Sequence, residues 1–258
     1  MSRSLRSVFK ITPVLLSVLL LILCAEAVTA CVLDVGGTGE DVRGSGNVTT
    51  EDRPVSGVTG VALRTLGDLT IEVGDQESLR IEAEDNLLQY LETTVSGGVL
   101  NIQEAEDVDL RPKKAIRYYL TVKSLESIEV TSSGNVTAPA LTAGGLTVDV
   151  TSSGDVEVAS LEADSLQVRL SSSGGVRIGG GQVTSQEARL SSSGDYEAGD
   201  LRSSSATVGL SSSGSATIWV TDRLEADLSS SGDLEYYGSP QAEVNESSSG
   251  DAKSLGDK

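Results

Sequence analysis

The composition of the chain excludes several functional classes before any element is placed. Its 258 residues contain 19 Lys and Arg against 38 Asp and Glu, no His, two Cys and 3% aromatic residues. Without His the chain lacks the commonest general base and the usual ligand of zinc sites, and a net charge of −19 opposes nucleic acid, whose binding depends on basic side chains.

Residues 1–30 are predicted to be a lipoprotein signal peptide. Three basic residues lie within the first ten, and an apolar run from Ile11 to Ala25 follows. That run is shorter than the roughly 20 residues that a membrane-spanning helix needs. Cys31 follows Val28-Thr29-Ala30, an order that resembles the bacterial lipobox, in which the cysteine becomes the lipid-modified first residue. We therefore expect a lipid anchor at Cys31 and a location in the bacterial cell envelope, at the outer membrane.

The alternative is an ordinary signal peptide cut after Ala27 or Ala30. Cys24 follows a bulky leucine and fits a lipobox poorly. Cleavage at either site removes three basic residues and one acidic residue. This leaves 16 basic and 37 acidic residues and a net charge of −21. Since one cysteine remains in the mature chain, an internal disulfide is excluded.

The segment after the signal peptide is predicted to be a tether over residues 31–52, and residues 53–258 a single domain. Alternating apolar residues predict strands near Val61, Ile71 and Ile81, and again over Tyr118–Val122. Residues 107–117 hold the densest mixture of acidic and basic side chains, and we interpret residues 107–114 as a polar loop.

The strongest signal is a Ser-Ser-Gly element that recurs at spacings of 20, 20, 20, 20, 18 and 18 residues. Such a period is typical of stacked repeat architectures. Glycine suits a tight bend because it tolerates positive φ and close approach of backbone. The glycines predicted to form the structural turns of the repeat are Gly134, Gly154, Gly174, Gly194, Gly214, Gly232 and Gly250.

Aliphatic residues stand at alternate positions around each glycine, as Val148, Val150, Val156 and Val158 do around Gly154. Period two indicates strands with one inward face, joined at the glycine and followed by a short crossover, as at 159–165. One such unit has a single apolar face and is stable only when stacked. The predicted fold is all-β, a single-stranded right-handed β-helix-like solenoid with regular coils from about 125 to 252. A β-sandwich or propeller is the alternative.

Stacked coils place residues one repeat apart side by side. We therefore predict neighbouring charge pairs between Asp149 and Arg169 and between Arg177 and Glu197, which stabilise cross-strand contacts modestly. In the last repeat Glu246 replaces the aliphatic residue, as expected for an exposed end of a solenoid.

The residue after each glycine is often acidic. Asp155, Asp195 and Asp233 are separated along the stack by Gly175 and Ser215, which we interpret as avoidance of like-charge repulsion. No 12-residue calcium loop and no calcium-binding nonapeptide array is present in the sequence. We predict no metal site and no cofactor.

The order of these segments resembles the auto-transporter adhesin head GIN domain family over nearly all of residues 44–250. The resemblance implies a β-helix-like fold on secreted or lipid-anchored proteins, without catalytic residues. One departure is Arg64-Thr65-Leu66 before Gly67, where the family usually has small residues. The resemblance is carried by Gly44-Ser45-Gly46-Asn47-Val48, Gly67-Asp68-Leu69-Thr70-Ile71, Glu77-Ser78-Leu79-Arg80-Ile81, Glu84-Asp85-Asn86-Leu87-Leu88 and the Ser-Gly-Asn/Asp coils.

These features favour a non-catalytic, lipid-anchored structural or interaction module of the cell envelope, adhesin-like, with an unknown protein or glycan partner and no nucleic acid. A serine in every repeat fits a structural ladder better than a nucleophile, and no G-x-S-x-G motif is present. Two alternatives stay open: an envelope enzyme of β-helical type acting on polysaccharides through its Asp and Arg residues, and an accessory protein of envelope sensing.

The lipid anchor gives the first testable prediction. Mass spectrometry of the protein purified from its host envelope should show a diacylglycerol-modified N-terminus at Cys31, and Cys31→Ser should release the protein from the membrane fraction. An unmodified N-terminus following Ala27 or Ala30 in the native protein would show that the lipobox interpretation is wrong.

Overall fold

The computed structural model describes residues 39–258, apart from Ser230 and Ser248. The predicted signal peptide and Cys31 lie outside the described residues. Among the residues that are described, no helix is both long and apolar enough to cross a membrane.

The first part of the described chain contains nine strands and one turn of 3-10 helix. In chain order these are β1 (Glu40–Arg43), β2 (Val48–Arg53), β3 (Gly60–Leu63), β4 (Asp68–Val73), β5 (Ser78–Glu84), the 3-10 turn Leu88–Tyr90, β6 (Leu91–Ser96), β7 (Val99–Glu104), β8 (Val108–Arg111) and β9 (Arg117–Val122).

The Ser-Ser-Gly repeats form the remaining strands. They are β10 (Ser127–Val130), β11 (Asn135–Ala138), β12 (Leu141–Val150), β13 (Val156–Val158), β14 (Leu161–Leu170), β15 (Val176–Ile178), β16 (Gly181–Leu190), β17 (Tyr196–Leu210), β18 (Ala216–Leu228), β19 (Leu234–Tyr237), β20 (Gln241–Glu246) and β21 (Ala252–Gly256).

The repeats stack as parallel coils, which confirms the predicted all-β solenoid. Strands before each Ser-Ser-Gly bend pair in the order β3, β10, β12, β14, β16, β17, β18, β20, and those after it in the order β4, β11, β13, β15, β17, β18, β19, β21. Between β12, β14 and β16 the register is one repeat, with Val148 beside Val168 and Val168 beside Ala188.

The predicted crossover at 159–165 is wrong. Strand β14 begins at Leu161, so only Ala159 and Ser160 separate it from β13. The buried parity changes along β14, from Leu161 to Leu166, and the ladder skips Asp164 between them. The chain therefore turns a corner inside the strand while most of its backbone hydrogen bonds continue.

The interior is built from small aliphatic side chains, as the low aromatic content requires. The predicted alternating positions are buried on both sides of the bend, for instance Val148, Val150, Val156 and Val158 at 0–1% exposure. Burying each such side chain contributes about 1.5–3 kcal/mol relative to leaving it in water. Many modest contributions thus replace the few large ones that aromatic rings give elsewhere.

The interior also holds a polar cluster that the sequence pattern does not reveal. Gln186 occupies a core position where other coils have Leu146 or Leu166, and it is 3% exposed. Its side chain donates to Ser203 Oγ at 2.7 Å and accepts from the hydroxyl of Tyr196 at 2.9 Å. Each polar side chain of this cluster thereby has a hydrogen-bond partner, as its burial requires.

At the Ser-Ser-Gly bend the first serine connects successive coils. The hydroxyl of Ser152 donates to the carbonyl of Ser132, that of Ser172 to Ser152, and that of Ser192 to Ser172. The second serine of these coils is exposed. The repeated serines are therefore a hydrogen-bonded column along the stack, which supports the structural interpretation over a nucleophile.

The glycine of the bend is required for space rather than for φ. Gly154, Gly174 and Gly194 are buried and have no positive φ, so that part of the expectation was wrong. A Cβ on Gly174 would overlap the carbonyl oxygen of Gly154 and lie 2.8 Å from that of Ser152. The backbones of adjacent coils approach so closely here that no side chain fits.

The segment Arg64-Thr65-Leu66, which departs from the small residues usual before Gly67, forms the same type of bend as the Ser-Ser-Gly repeats. Thr65 is buried, accepts at its carbonyl from Ser132 Oγ at 2.6 Å, and donates its own hydroxyl to Glu104 at 2.8 Å. Gly67 takes the glycine position with φ +118°. Thr65 thus replaces the first serine of the repeat and links the corner to the neighbouring strand β7.

Acidic residues after the glycine bind the backbone of the next coil. Asp155 Oδ1 accepts from the amide of Gly175 at 2.7 Å, and Asp195 Oδ1 from the amide of Ser215 at 3.2 Å. Asp233 Oδ1 accepts from the amide of Asp251 in the same way, also at 3.2 Å. These carboxylates satisfy backbone donors where the ladder is interrupted, a role that spacing alone did not predict.

Both predicted charge pairs on the outer faces are confirmed. Arg169 lies 3.1 Å from Asp149 and Arg177 lies 2.6 Å from Glu197. All four side chains are a third or more exposed, so each pair contributes little to stability. Glu246, in the last coil, is exposed as predicted.

The coils do not stack in chain order at the N-terminal end. Strands β7 and β9 lie on the outer side of β3 and β4, while β10 and β11 lie on the opposite side. The antiparallel strands β5 and β6 then cover β9 and β7, and β2 covers β5. We call β2, β5, β6 and the 3-10 turn the cap.

The predicted tether 31–52 reaches into this folded part. Within it, β1 pairs in parallel with β8 and β2 pairs antiparallel with β5. From Glu40 onward the described chain is thus largely in strands. Its exposed Gly- and Thr-rich sequence forms strands because the edges of β8 and β5 are available for pairing.

The buried carboxylate of Glu84 fastens two loops to the cap. It is 0% exposed and accepts from the amides of Gly46 at 2.5 Å, Lys113 at 2.8 Å and Lys114 at 3.2 Å. Burial alone would raise the pKa of Glu84, but these three donors outweigh it and lower the pKa below its ordinary value.

The close approach at the bend predicts that Gly174→Ala is destabilising by about 1–3 kcal/mol, as for other overpacked sites. Gly144→Ala is the matched control, because a Cβ there meets nothing within 4 Å, and its effect should stay within about 1 kcal/mol. Urea unfolding measures both. Equal stability of the two variants would refute the steric role of the glycine column.

The pKa of Glu84 predicts an acid-dependent contribution to stability. Because folding lowers this pKa, the contribution is complete above the ordinary carboxyl pKa of 4.5 and is lost as the pH falls through the lowered value. Glu84→Gln should cost about 1–3 kcal/mol at neutral pH, and its difference from wild type should shrink toward strongly acid pH. The exposed Glu106→Gln serves as control. A difference independent of pH would contradict the assignment.

Candidate functional site

The structure places the predicted site residues in structural roles where it describes them. Gly134 to Gly250 form the corner column of the stack and are buried. Cys31 lies outside the described residues, so the anchor stays a prediction.

In the mixed-charge segment 107–117, the side chains of Asp109, Arg111 and Arg117 form ion pairs. Arg111 contacts Asp109 at 2.5 Å and Asp41 at 3.3 Å, and Arg117 contacts Glu82 at 2.6 Å. Three of these residues, Asp41, Asp109 and Arg111, belong to the parallel pair β1–β8, not to a loop. Over residues 39–258 as described, no group of three or more Asp, Glu, Cys or His is placed to hold a metal ion.

A concave face of about 790 Å³ lies on the outer side of β2, β5, β9 and β4. We call it the cap face. Across it runs a row of paired positions, Asp52 beside Arg80, Arg80 beside Tyr119 and Tyr119 beside Thr70. The strands alternate, so Leu79 and Leu120 turn into the core while this row faces solvent. Sequence alternation predicts each strand, but only the cap topology brings the four together.

Charged groups of the cap face are held in ion pairs. Arg80 Nε lies 2.8 Å from Asp52, and Arg117 on the same sheet lies 2.6 Å from Glu82. The hydrogen bond from each guanidinium to its carboxylate raises the pKa of Arg80 and of Arg117. These pairs fix the orientation of polar groups more than they stabilise the fold, because they are exposed.

Tyr119 is the aromatic residue of this face. It lies on the opposite side of the sheet from its neighbour Tyr118. Tyr118 is fully buried, while Tyr119 is 40% exposed. The next positions of the same row along the solenoid are polar or charged, namely Thr70, Thr137, Glu157, Arg177, Glu197, Thr217, Glu235 and Lys253.

The walls of the cap face are fixed from behind. Arg53 is 16% exposed at its side chain, pairs with Glu51 and donates to the carbonyls of Leu88 and Leu91, which ties β2 to the 3-10 turn. Glu77 accepts from the amides of Gly57 at 2.7 Å and Val58 at 2.9 Å. These two hydrogen bonds connect the loop that rims the face to the start of β5.

Two further grooves follow the solenoid axis. One of about 790 Å³ is lined by the outward residues of the long strands, including Arg169, Arg189 and Gly209. The other, of about 740 Å³, runs along the corner that contains Ser165, Ser185 and Ser205. Neither is lined by an aromatic residue, which distinguishes the cap face from both.

Several solved structures share this fold. A putative adhesin from Bacteroides fragilis is 22% identical, with a TM-score of 0.77 over 83% of this chain and 100% of its own. A putative lipid binding protein from Parabacteroides distasonis is 23% identical, with a TM-score of 0.72 over 84% of this chain and 100% of its own. A putative adhesin from the same organism is 22% identical, with a TM-score of 0.67 and the same coverage. At these identities the likeness shows the fold alone. No protein of curated function matches the chain.

The sequence also matches a family model. The model, described as "Putative auto-transporter adhesin, head GIN domain", covers residues 58–240, from the first coil to β19. This range includes the Ser-Ser-Gly bends from Gly134 to Gly232 and most of the cap face. The chain belongs to the GIN-domain family of auto-transporter adhesin heads.

Proposed function

We propose that the protein is a non-catalytic, adhesin-like interaction module, held at the cell envelope by a lipid on Cys31, and that it meets its partner through the cap face. Membership in an adhesin-head family supports the adhesin-like role. The cap face carries the rest of the proposal, because it is concave, exposed and fixed by Arg53 and Glu77 from behind.

The chemistry of the face favours recognition over catalysis. A hydrolase or lyase of polysaccharides needs carboxylates that exchange protons with the substrate. Asp52 and Glu82 are instead engaged in ion pairs with Arg80 and Arg117. Side chains held in this way supply fixed hydrogen-bonding groups.

One solved structure with the same fold is described as a putative lipid binding protein. In this chain the cap face is lined by Asp52, Glu72, Arg80 and Glu82 beside hydroxyl groups. Burying an acyl chain there would desolvate charged groups at a large cost. A polar partner therefore fits the face better than a lipid tail.

The proposal predicts that one bulky charge on the cap face prevents attachment. Beads that carry the full-length protein should adhere to envelope fragments or cells that display the partner. Thr70→Arg should reduce adhesion at least tenfold. Thr217→Arg should leave it unchanged, because Thr217 is a half-buried threonine in the same row, outside the face.

Two results would overturn this function. Adhesion that is the same in Thr70→Arg and wild type would place the contact elsewhere. Release of shortened polysaccharide from the fragments by wild type, but not by the Thr70→Arg variant, would make the face an enzyme site.

A further inference from the structure

We propose that the cap face binds an uncharged oligosaccharide and that Tyr119 is the platform on which one sugar ring stacks. This inference rests on the proposed function and names the ligand class of the same face. It depends on the position of one aromatic ring, on the state of the charges around it and on the rigidity of the walls.

Tyr119 lies outside the core of the solenoid, as the cross-strand neighbour of Arg80 and Thr70. Tyr119 is 40% exposed and lies on the outer side of the sheet, whereas Tyr118 and Leu120 fill the core beneath it. The equivalent positions in the following coils are all polar or charged. In a chain with 3% aromatic residues, Tyr119 gives the concave face an aromatic surface on which a ligand can pack. Tyrosine offers a large, rigid contact area at low cost in conformational entropy.

The polar groups around Tyr119 are suited to the hydroxyl groups of a sugar. A pyranose ring presents an apolar C–H face, which packs on an aromatic ring, and a rim of hydroxyls that both donate and accept. Around Tyr119 stand the hydroxyls of Thr50, Thr70 and Thr121 and the Asp52–Arg80 pair. A carboxylate and a guanidinium side by side provide an acceptor and a donor at a fixed separation, as adjacent sugar hydroxyls require.

The charge of the face argues for a ligand without charge. Three of its carboxylates are already engaged: Asp52 with Arg80, Glu82 with Arg117, and Glu77 with two backbone amides. Of the four carboxylates that line the face, only Glu72 is outside these contacts and could pair with a cationic ligand without displacing a partner. An anionic ligand would approach four carboxylates and two guanidiniums on a chain of net charge −19. The surplus of carboxylates disfavours an anionic ligand, whereas the hydroxyls of an uncharged one use the lone pairs and N–H groups that the ion pairs leave open.

The size and rigidity of the face also fit. Its volume of about 790 Å³ falls within the roughly 300–1,000 Å³ typical of small-ligand sites. Because Arg53 and Glu77 hold the walls in place, little conformational entropy is lost on binding.

The test uses full-length protein purified in a detergent without a sugar headgroup. Maltohexaose, cellohexaose and chitohexaose are the neutral probes, and a hexamer of galacturonic acid is the anionic one, each titrated by calorimetry. We expect saturable binding of at least one neutral hexamer. Tyr119→Ala should weaken it tenfold or more, while Tyr119→Phe, which keeps the ring, should stay within threefold of wild type. Thr217→Ala controls for a general effect of altering this sheet.

Three outcomes would overturn the inference: no binding of any neutral hexamer, tighter binding of the anionic hexamer, or equal affinity of Tyr119→Ala and wild type. Circular dichroism and urea unfolding of each variant separate loss of the ring from loss of the fold. The bead assay separates the two proposals. If Thr70→Arg blocks adhesion but no hexamer binds, the saccharide is wrong and the adhesive face stands. If Thr70→Arg has no effect, the face itself is wrong.

Discussion

The close approach of successive backbones at the Ser-Ser-Gly bend is the constraint on which the rest of the structure depends. At Gly174 the coil lies so near the carbonyls of Gly154 and Ser152 that a methyl group does not fit. Ser172, the first serine of the same bend, donates its hydroxyl to the carbonyl of Ser152 in the preceding coil. Because one corner of every coil is fixed in this way, the flanking strands keep one register. The aliphatic residues of each coil then fall on those of the next without large rings to guide them.

The hydrogen bonds and close contacts at the bends stabilise the inside of the stack but not its two ends. Each end of a parallel solenoid exposes unpaired backbone and uncovered core. At the N-terminal end the cap solves this with antiparallel strands, and Glu84 and Arg53 hold the cap in place through backbone contacts. The last coil is instead made polar, with Glu246 at the position of an aliphatic residue.

The cap is also where the fold departs from uniform repetition, and that departure creates the candidate site. Along the solenoid each outer row repeats with nearly the same character, and its charges pair with one another. In the cap, strands of opposite direction meet the parallel sheet and form a concave surface with Tyr119 exposed. A regular ladder gives rigidity, and an irregular end gives a shape that distinguishes one ligand from another.

The sequence by itself determined the repeat, the inward and outward alternation, the parallel stacking and the pairs Asp149–Arg169 and Arg177–Glu197, because all of these follow from period two within a period of 20 residues. It did not determine the candidate site. Tyr119, Arg80 and Asp52 are far apart in the chain, and only the tertiary structure decided that β5 reverses, covers β9 and accepts β2. The sequence pattern also did not predict that the coils of β7, β3 and β10 stack in that order. Local alternation tells which face of a strand is buried, whereas the choice of neighbour depends on which edges remain unpaired once the whole stack has formed.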